Sequence, residues 1–439
     1  MSGTFTAMNK KRPGAYINFK SAAKALMGVG ARGIVTLPMS LGWALEGDVI
    51  EVYATDITDG TCLKKLGYTG SADELQPLRE ALKNAYTALV CRVNKGGVKA
   101  TATLGELTAV AKYSGSVGNR LSVIIKKNDT KYDVITCLDN NVVDKQTVAS
   151  IADLAANDYV TFTGAGELAE NAGVALTSGT DCEVSADAYS DYFEKIKRKT
   201  WNTMAFINYT SDASTNDLAI TFIKQLRDSG KKVQAVIKDG ASADNEGIIA
   251  VSQGYRTATE IVPVTSFIAY AAGLTAGAAI NKSNTYSVVS GAVEIINPKT
   301  DQEIEKGIEA GEFMLSYRQD GAVVIETDIN SYHSFTADKS RDFSKNRIIR
   351  VLDEINNTVQ TTFENSYIGK VDNNEAGRTS FKADLVSYCM KLQEMNAIQN
   401  FSADDVIVSA GDEIDSVIVT IGVKPVDAME KLYMTVTVG

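Results

Sequence analysis

The feature that most constrains the fold is a strand–helix–strand pattern in the middle of the chain. Residues 204–209 and 233–237 are apolar runs of the length expected for buried strands. Over 216–229 apolar residues recur every three to four positions, as they do on the buried face of a helix. Short links between these elements indicate a βαβ unit with parallel strands and a right-handed crossover. The pattern therefore predicts an α/β core domain.

A second helix of this core is predicted over 261–280, a segment that contains no charged residue. Its length also suits a membrane span, in which Gly273 and Gly277 would form a helix-dimerisation motif. However, Pro263 and Ser266 lower its hydropathy, and the segment stands alone in an otherwise polar chain. We therefore expect a buried, closely packed helix and no association with a membrane.

The pattern changes on both sides of this core. Residues 95–185 are rich in Gly, Thr and Val and contain short alternating runs, which predicts a mainly β domain inserted into the core. One modest helix is expected in it, near 148–154. Amphipathic helices and strands after residue 340 predict a small α+β C-terminal domain over 341–430. One of its strands is expected at 417–423, and the apolar stripe of its second helix consists of Phe381, Leu385, Tyr388, Leu392 and Met395. The α/β core domain then consists of 25–94 and 186–340.

Both ends of the chain predict isolated strands, in an N-terminal arm over 1–24 and a C-terminal arm over 431–439. The residues expected to form strands between subunits are Ala15, Tyr16, Ile17 and Phe19 in the first arm and Leu432, Met434, Val436 and Val438 in the second. A lone strand cannot bury such apolar residues unaided. Six basic residues and no acid precede Glu46, whereas seven acids and two lysines follow Ser402. These opposite charges favour contact between the ends of different chains.

The residues needed for most enzyme sites are missing from the sequence. The chain has one histidine, His333, and its five cysteines have irregular spacing without a CxxC pair. No phosphate-binding GK[ST] loop, nucleophile elbow or zinc-binding HExxH motif is present. The net charge of −10 argues against binding to nucleic acid. We therefore predict no catalytic residue, no metal site, no cofactor and no nucleic-acid partner.

Several segments in a fixed order carry a resemblance to a known family. They are RPGAYINFKS (12–21), AKYSGSVGNRLSV (111–123), LTSGTD (176–181), AAGLTAGAAINKSNTY (271–286), GEFMLSYRQDGAVVIETDINSYHSF (311–335), DFSKNRIIRVLDEINNTVQTTFENSYIGKVDNN (342–374) and PVDAMEKLYMTVTV (425–438). Together they resemble the tail sheath protein of contractile phage tails and of phage-derived bacteriocins from Gram-positive bacteria. Ser178 and Cys182 depart from the family, which tends towards glycines at that turn.

The resemblance implies a structural subunit rather than an enzyme. Such subunits polymerise as stacked hexameric rings, in a helical array around an inner tail tube, and contract to drive the tube through a cell envelope. The implied partners are other copies of the chain, the inner tube protein, and baseplate and tail-terminator proteins. The implied location is the tail of a virion or phage-like particle, assembled in the bacterial cytoplasm. An infectious phage and a headless bacteriocin would both use this subunit.

The resemblance also implies a place for each domain. The inserted domain would lie on the outer surface, the C-terminal domain would face the tube, and the arms would add strands to the C-terminal domains of neighbours. On the helix that begins near Asp342, the apolar residues expected inside that domain are Ile348, Leu352, Ile355 and Val359. The charges expected to be more exposed are Lys345, Arg347, Arg350, Asp353 and Glu354, of which the first three are candidate tube contacts.

Two other functions stay open from the residues. One is a non-contractile baseplate component or adhesin, which would share the fold without the contraction. The other is a hydrolase on the α/β core with a carboxylate-based site. Electron microscopy separates them, because only a sheath protein is expected to form long striated tubes.

Overall fold

The computed structural model describes residues 27–438, which form two compact units. Unit 1 contains 27–29 and Thr358–Lys424. Unit 2 contains Gly30–Asn357 and 425–438. The sequence placed a domain boundary near residue 341, whereas the division between the units falls inside the helix that begins there. The predicted domain boundaries stay a prediction.

The helices and strands are named here in chain order. The strands are β1 (Ile34–Met39), β2 (Val49–Tyr53), β3 (Thr87–Arg92), β4 (Thr101–Leu104), β5 (Leu107–Ala111), β6 (Leu121–Asn128), β7 (Lys131–Leu138), β8 (Asn141–Val148), β9 (Val160–Gly164), β10 (Asn171–Ala175), β11 (Thr203–Phe206), β12 (Gln234–Lys238), β13 (Ile248–Val251), β14 (Gly254–Arg256), β15 (Ile261–Val262), β16 (Glu294–Ile296), β17 (Leu315–Tyr317), β18 (Val323–Ile325), β19 (Val406–Ala410) and β20 (Val417–Ile421). The helices are α1 (Asp56–Asp59), α2 (Thr61–Leu66), α3 (Gln76–Leu82), α4 (Ala186–Lys197), α5 (Ala213–Asp228), α6 (Val264–Gly277), α7 (Asp301–Glu309), α8 (Asn346–Ser366) and α9 (Glu375–Glu394).

A six-stranded sheet forms the centre of unit 2, in the order β13-β12-β11-β1-β3-β2. Only β2 runs antiparallel to its neighbour. Strands β11 and β12 pair in parallel, with Thr203 opposite Gln234, so the predicted βαβ unit is confirmed. The helix between them, α5, begins three residues earlier than predicted, because Asp212 caps it by accepting a hydrogen bond from the backbone N–H of Ser214.

Helix α6 is the predicted charge-free helix, and its central residues are fully buried. It packs closely on α3, because a side chain at Gly273 would place its Cβ 2.1 Å from the carbonyl oxygen of Ala81. Gly277 meets the carbonyl oxygen of Asn84 in the same way. The two glycines thus serve helix packing inside the protein. Within 27–438, no helix is both long and apolar enough to cross a membrane.

The region predicted as mainly β contains two antiparallel sheets, β10-β6-β7-β8 and β4-β5-β9. Their buried residues, such as Val123 and Ala109, belong to the same apolar cluster as the core strands. Trp43, in a core loop, packs its ring edge to face with Tyr113 at 5.2 Å between ring centroids. The modest helix predicted near 148–154 is a single 3₁₀ turn, Ile151–Asp153.

Unit 1 is built from the end of α8, helix α9 and the antiparallel pair β19–β20. The predicted α9 stripe of Phe381, Leu385, Tyr388 and Leu392 is buried, whereas Met395 is exposed. The predicted strand at 417–423 appears as β20. Residues 432–438, predicted as a strand, are not assigned as one within this single chain.

Candidate assembly surfaces

In the described part of the chain, the one histidine contacts the backbone, and the cysteines Cys62 and Cys389 are buried. His333 places its Nδ1 2.8 Å from the carbonyl oxygen of Ser331, and its backbone N–H donates to Asp244. Burial raises the pKa of the Cys62 and Cys389 thiols to about 11, so both are protonated at neutral pH and weakly nucleophilic. Residues 27–438 contain no cluster of three potential metal ligands.

The charges on the first half of α8 are buried, so the prediction that they are exposed is wrong for three of them. The Arg350 side chain is 1% exposed and lies 3.5 Å from the Asp328 carboxylate. Asp353 accepts two hydrogen bonds from Arg227, at 2.7 and 2.8 Å. Glu354 accepts a hydrogen bond of 2.6 Å from the backbone N–H of Gly30. The polar stripe of the helix thus faces partners from distant parts of unit 2.

The other two candidate tube contacts, one just before this helix and one in its first turn, are partly buried. Arg347 is intermediate in exposure, and the Lys345 side chain, 14% exposed, pairs with Glu430. In the apolar stripe, Ile348 is buried, whereas Leu352 and Ile355 are half-buried. Arg350 is unavailable to a partner in this conformation, because its guanidinium also donates to the carbonyl oxygen of Lys282 at 2.6 Å. Tube contact by Lys345 and Arg347 stays a prediction.

The C-terminal arm is the most exposed apolar segment among the described residues. Its large apolar side chains have exposed fractions of 83% for Leu432, 89% for Tyr433, 73% for Met434, 71% for Val436 and 90% for Val438. Within 27–438, residues 432–438 have no strand partner. An apolar strand with nothing to pair with is a hazard in a monomer and a suitable joint in an assembly.

The β19–β20 pair in unit 1 is a two-stranded sheet to which a further strand could be added. One face packs on α9, and Val406 there is fully buried. On the other face Ile407 and Ile418 are 59% and 52% exposed. No third strand joins this sheet in the part of the chain that the structure describes. In a two-stranded sheet each strand is an edge, and an edge strand can pair with a further strand.

A groove of about 740 Å³ opens beside this hairpin in unit 1. Phe363, Tyr367 and Phe381 line its inner wall, and Ile368 and Ile414 stand exposed at its mouth. The Ile414 side chain is 96% exposed in the turn between the two strands. The isoleucine inside the acidic sequence Gly-Asp-Glu-Ile-Asp (411–415) is the signal from which a contact surface could have been predicted.

The N-terminal arm cannot be compared in the same way. Ala15, Tyr16, Ile17 and Phe19 lie outside the described residues. The described chain begins at Met27, whose carbonyl oxygen accepts a hydrogen bond from Lys391 Nζ on α9 at 3.1 Å. The first described residues therefore lie against the helix that supports the hairpin.

Four family models match consecutive parts of the chain. They are described as the N-terminal region of domain III of tail sheath protein Gp18 (residues 32–93) and the phage tail sheath protein beta-sandwich domain (95–181), central domain (183–331) and C-terminal domain (338–439). All four models belong to tail sheath proteins, and together they cover most of the chain.

Relatives of known sequence or structure agree with these models. Protein XkdK of the phage-like element PBSX of Bacillus subtilis is 34% identical over 100% of this chain and 99% of its own length. The crystal structure of a sheath tail protein from Desulfitobacterium hafniense is 40% identical, with a TM-score of 0.84 over 96% of this chain and 99% of that one. The anti-feeding prophage helical sheath in the contracted state, 12% identical over 98% of this chain and 99% of that one, shares the fold with a TM-score of 0.58. The chain belongs to the family of contractile phage tail sheath proteins found in phage elements of Gram-positive bacteria.

Proposed function

We propose that this protein is a sheath subunit that polymerises through its C-terminal arm, which adds a strand to the β19–β20 sheet of a neighbouring subunit. One observation carries the proposal: the same chain exposes an unpaired apolar strand sequence and an unfilled two-stranded sheet. Pairing would supply main-chain hydrogen bonds and bury apolar area worth about 25 cal/mol per Å².

The N-terminal arm supplies a second joint in this proposal. Its residues Ala15, Ile17 and Phe19 alternate with polar ones, and five basic residues lie within 1–26. The hairpin turn of unit 1 carries the exposed acids Asp412, Glu413 and Asp415. Opposite charges steer an arm from one subunit to the hairpin of another and disfavour pairing of two identical ends.

The assembly that follows is a stack of hexameric rings around an inner tail tube, joined to a baseplate at one end and a terminator protein at the other. Contraction would drive the tube through a cell envelope while the arms keep neighbouring subunits linked. Anti-feeding prophage structures that share the fold come from a helical sheath in the contracted state and from a six-fold symmetrised baseplate. Arms suit such a rearrangement, because a strand joint can be preserved while the bodies of the subunits move.

Substitution of one face of the arm tests the proposal. Changing Leu432, Met434, Val436 and Val438 to Ser removes the apolar face that a neighbour would bury, so we expect folded monomers instead of tubes. The matched control changes the alternate residues Tyr433, Thr435 and Thr437 to Ser. This variant keeps the apolar face, so we expect it to form tubes. Negative-stain electron microscopy and sedimentation measure both. Tubes formed equally by both variants, or by a chain truncated after Lys431, would contradict the proposal.

A further inference from the structure

Residues 425–430, which precede the C-terminal arm, lie against the rest of unit 2, and this contact ends at Glu430. Val426, Ala428 and Glu430 are half-buried, whereas residues 431–438 are all exposed. Among the described residues after Pro425, Glu430 alone bonds through its side chain to a distant part of the chain. Glu430 therefore marks the point at which the arm leaves the body of the subunit.

Two side chains hold the Glu430 carboxylate. The Thr285 hydroxyl donates a hydrogen bond to its Oε1 at 2.8 Å. The Lys345 ammonium pairs with its Oε2, and the two side chains are only 14% and 15% exposed. A pair so shielded from water is weakened less by salt than an ion pair on the surface. The contact is thus suited to hold the chain firmly.

A buried polar network supports these two partners. The Thr285 hydroxyl accepts a hydrogen bond from the backbone N–H of Asp328 at 2.9 Å, which leaves its own proton for Glu430. The fully buried Asp328 carboxylate accepts hydrogen bonds from Asn346 Nδ2 at 3.0 Å and from the backbone N–H of Asn284 at 2.9 Å. Asn346 directly follows Lys345 at the start of α8, so both partners are fixed to packed structure.

We propose that Glu430 is the pivot of the C-terminal arm, a positioning residue that sets where the arm starts and how far it reaches. This inference rests on the proposed function of the arm. With Glu430 held, the nine residues 431–439 span at most about 30 Å, which limits the distance to the acceptor sheet. Release of Glu430 would free the chain back to Pro425, and fifteen residues span about 50 Å. A longer tether lowers the effective concentration of the arm at its acceptor sheet, which weakens assembly.

A double-mutant cycle tests the pivot, with the critical concentration for polymerisation measured by sedimentation. We expect Glu430→Gln and Lys345→Met each to raise it about twofold, and the double variant to raise it no further, because both remove one interaction. The control Asp427→Asn should not change it, since Asp427 bonds only to the backbone of the next residue. Thermal midpoints should stay close to that of the parent protein, because the arm adds little to the fold of the monomer.

Other outcomes separate the pivot from the function of the arm. Unchanged critical concentrations in both single variants, or effects that multiply in the double variant, would overturn the pivot. A fall in the thermal midpoint large enough to account for the whole rise in critical concentration would also overturn the pivot. Glu430 would then act as an ordinary stabilising residue. If the chain truncated after Lys431 still polymerises, the function of the arm itself is wrong. If truncation stops assembly but Glu430→Gln does not weaken it, only the pivot is wrong.

Discussion

Buried arginines organise the polar interior of unit 2. Arg92 and Arg350 have side chains 0% and 1% exposed, and Arg227 is 6% exposed. Each lies near a carboxylate, because an unpaired charge in the interior costs several kcal/mol. Burial alone would lower the pKa of Arg227, but the charge of Asp353 raises it above its ordinary value. Burial raises the pKa of the Asp353 carboxyl, and the charge of Arg227 opposes that shift.

We predict that Arg227→Met destabilises the chain strongly. The change leaves the buried Asp353 and the half-buried Glu246 without their guanidinium partner, although Glu246 keeps its pair with Lys339. Breaking a buried pair from one side costs about 3–5 kcal/mol in the free energy of unfolding. Urea denaturation followed by circular dichroism measures that change.

The control for this prediction is Arg318→Met, in a pair with Asp320 on the surface. Both side chains of that pair are substantially exposed, at 42% and 55%. Exposed pairs contribute little to the free energy of unfolding, so the control should unfold close to the parent protein. Equal losses of stability in the two variants would show that burial of the Arg227 pair does not matter.

Among the secondary-structure elements, the packing of α6 on α3 is especially close. Gly273 and Gly277 lie one turn apart on the side of α6 that meets the last residues of α3 and the turn after it. Glycine normally weakens a helix by about 1 kcal/mol relative to alanine. Glycine is present at both positions because the backbone of α6 lies so close to a carbonyl oxygen that no side chain would fit between them.

We predict that Gly273→Ala destabilises unit 2 in spite of its better helix propensity. The new methyl group would lie 2.1 Å from a backbone oxygen, so the two helices must separate, at a cost of about 1–3 kcal/mol. The comparison is Gly307→Ala in α7, whose new methyl group meets only the end of the flexible Met314 side chain. Thermal unfolding should show a lower midpoint for the first variant than for the second. The reverse order would contradict this explanation of the glycines.

Elements with a strong internal period could be predicted from the sequence. The β11–α5–β12 unit, the buried α6 and strand β20 all follow from their apolar spacing. Helix α8 could not be predicted fully, because its polar stripe is buried by partners such as Arg227, 126 positions from Asp353. Periodicity reports which residues share a face, but it does not report which distant charges meet that face.

The whole molecule combines stable bodies with a terminal segment that the body does not use. The β-rich region and the α/β sheet share one apolar cluster, so unit 2 folds around a continuous core. Residues 432–438 of the C-terminal arm contribute nothing to that core, and within 27–438 they have no strand partner. The sequence revealed the apolar alternation of the arm. It could not reveal the Lys345–Glu430 pair, whose members lie 85 positions apart.

The central claim is that the C-terminal arm of one subunit completes the β19–β20 sheet of another. The most direct measurement is a cryo-electron microscopy reconstruction of the polymer at a resolution that shows side chains. The account predicts that residues 432–438 form a strand hydrogen-bonded to β19 or β20 of a different copy, with Glu430 still bound to Lys345 of its own chain. An arm that pairs within its own chain, or that touches no sheet in an ordered polymer, would contradict it.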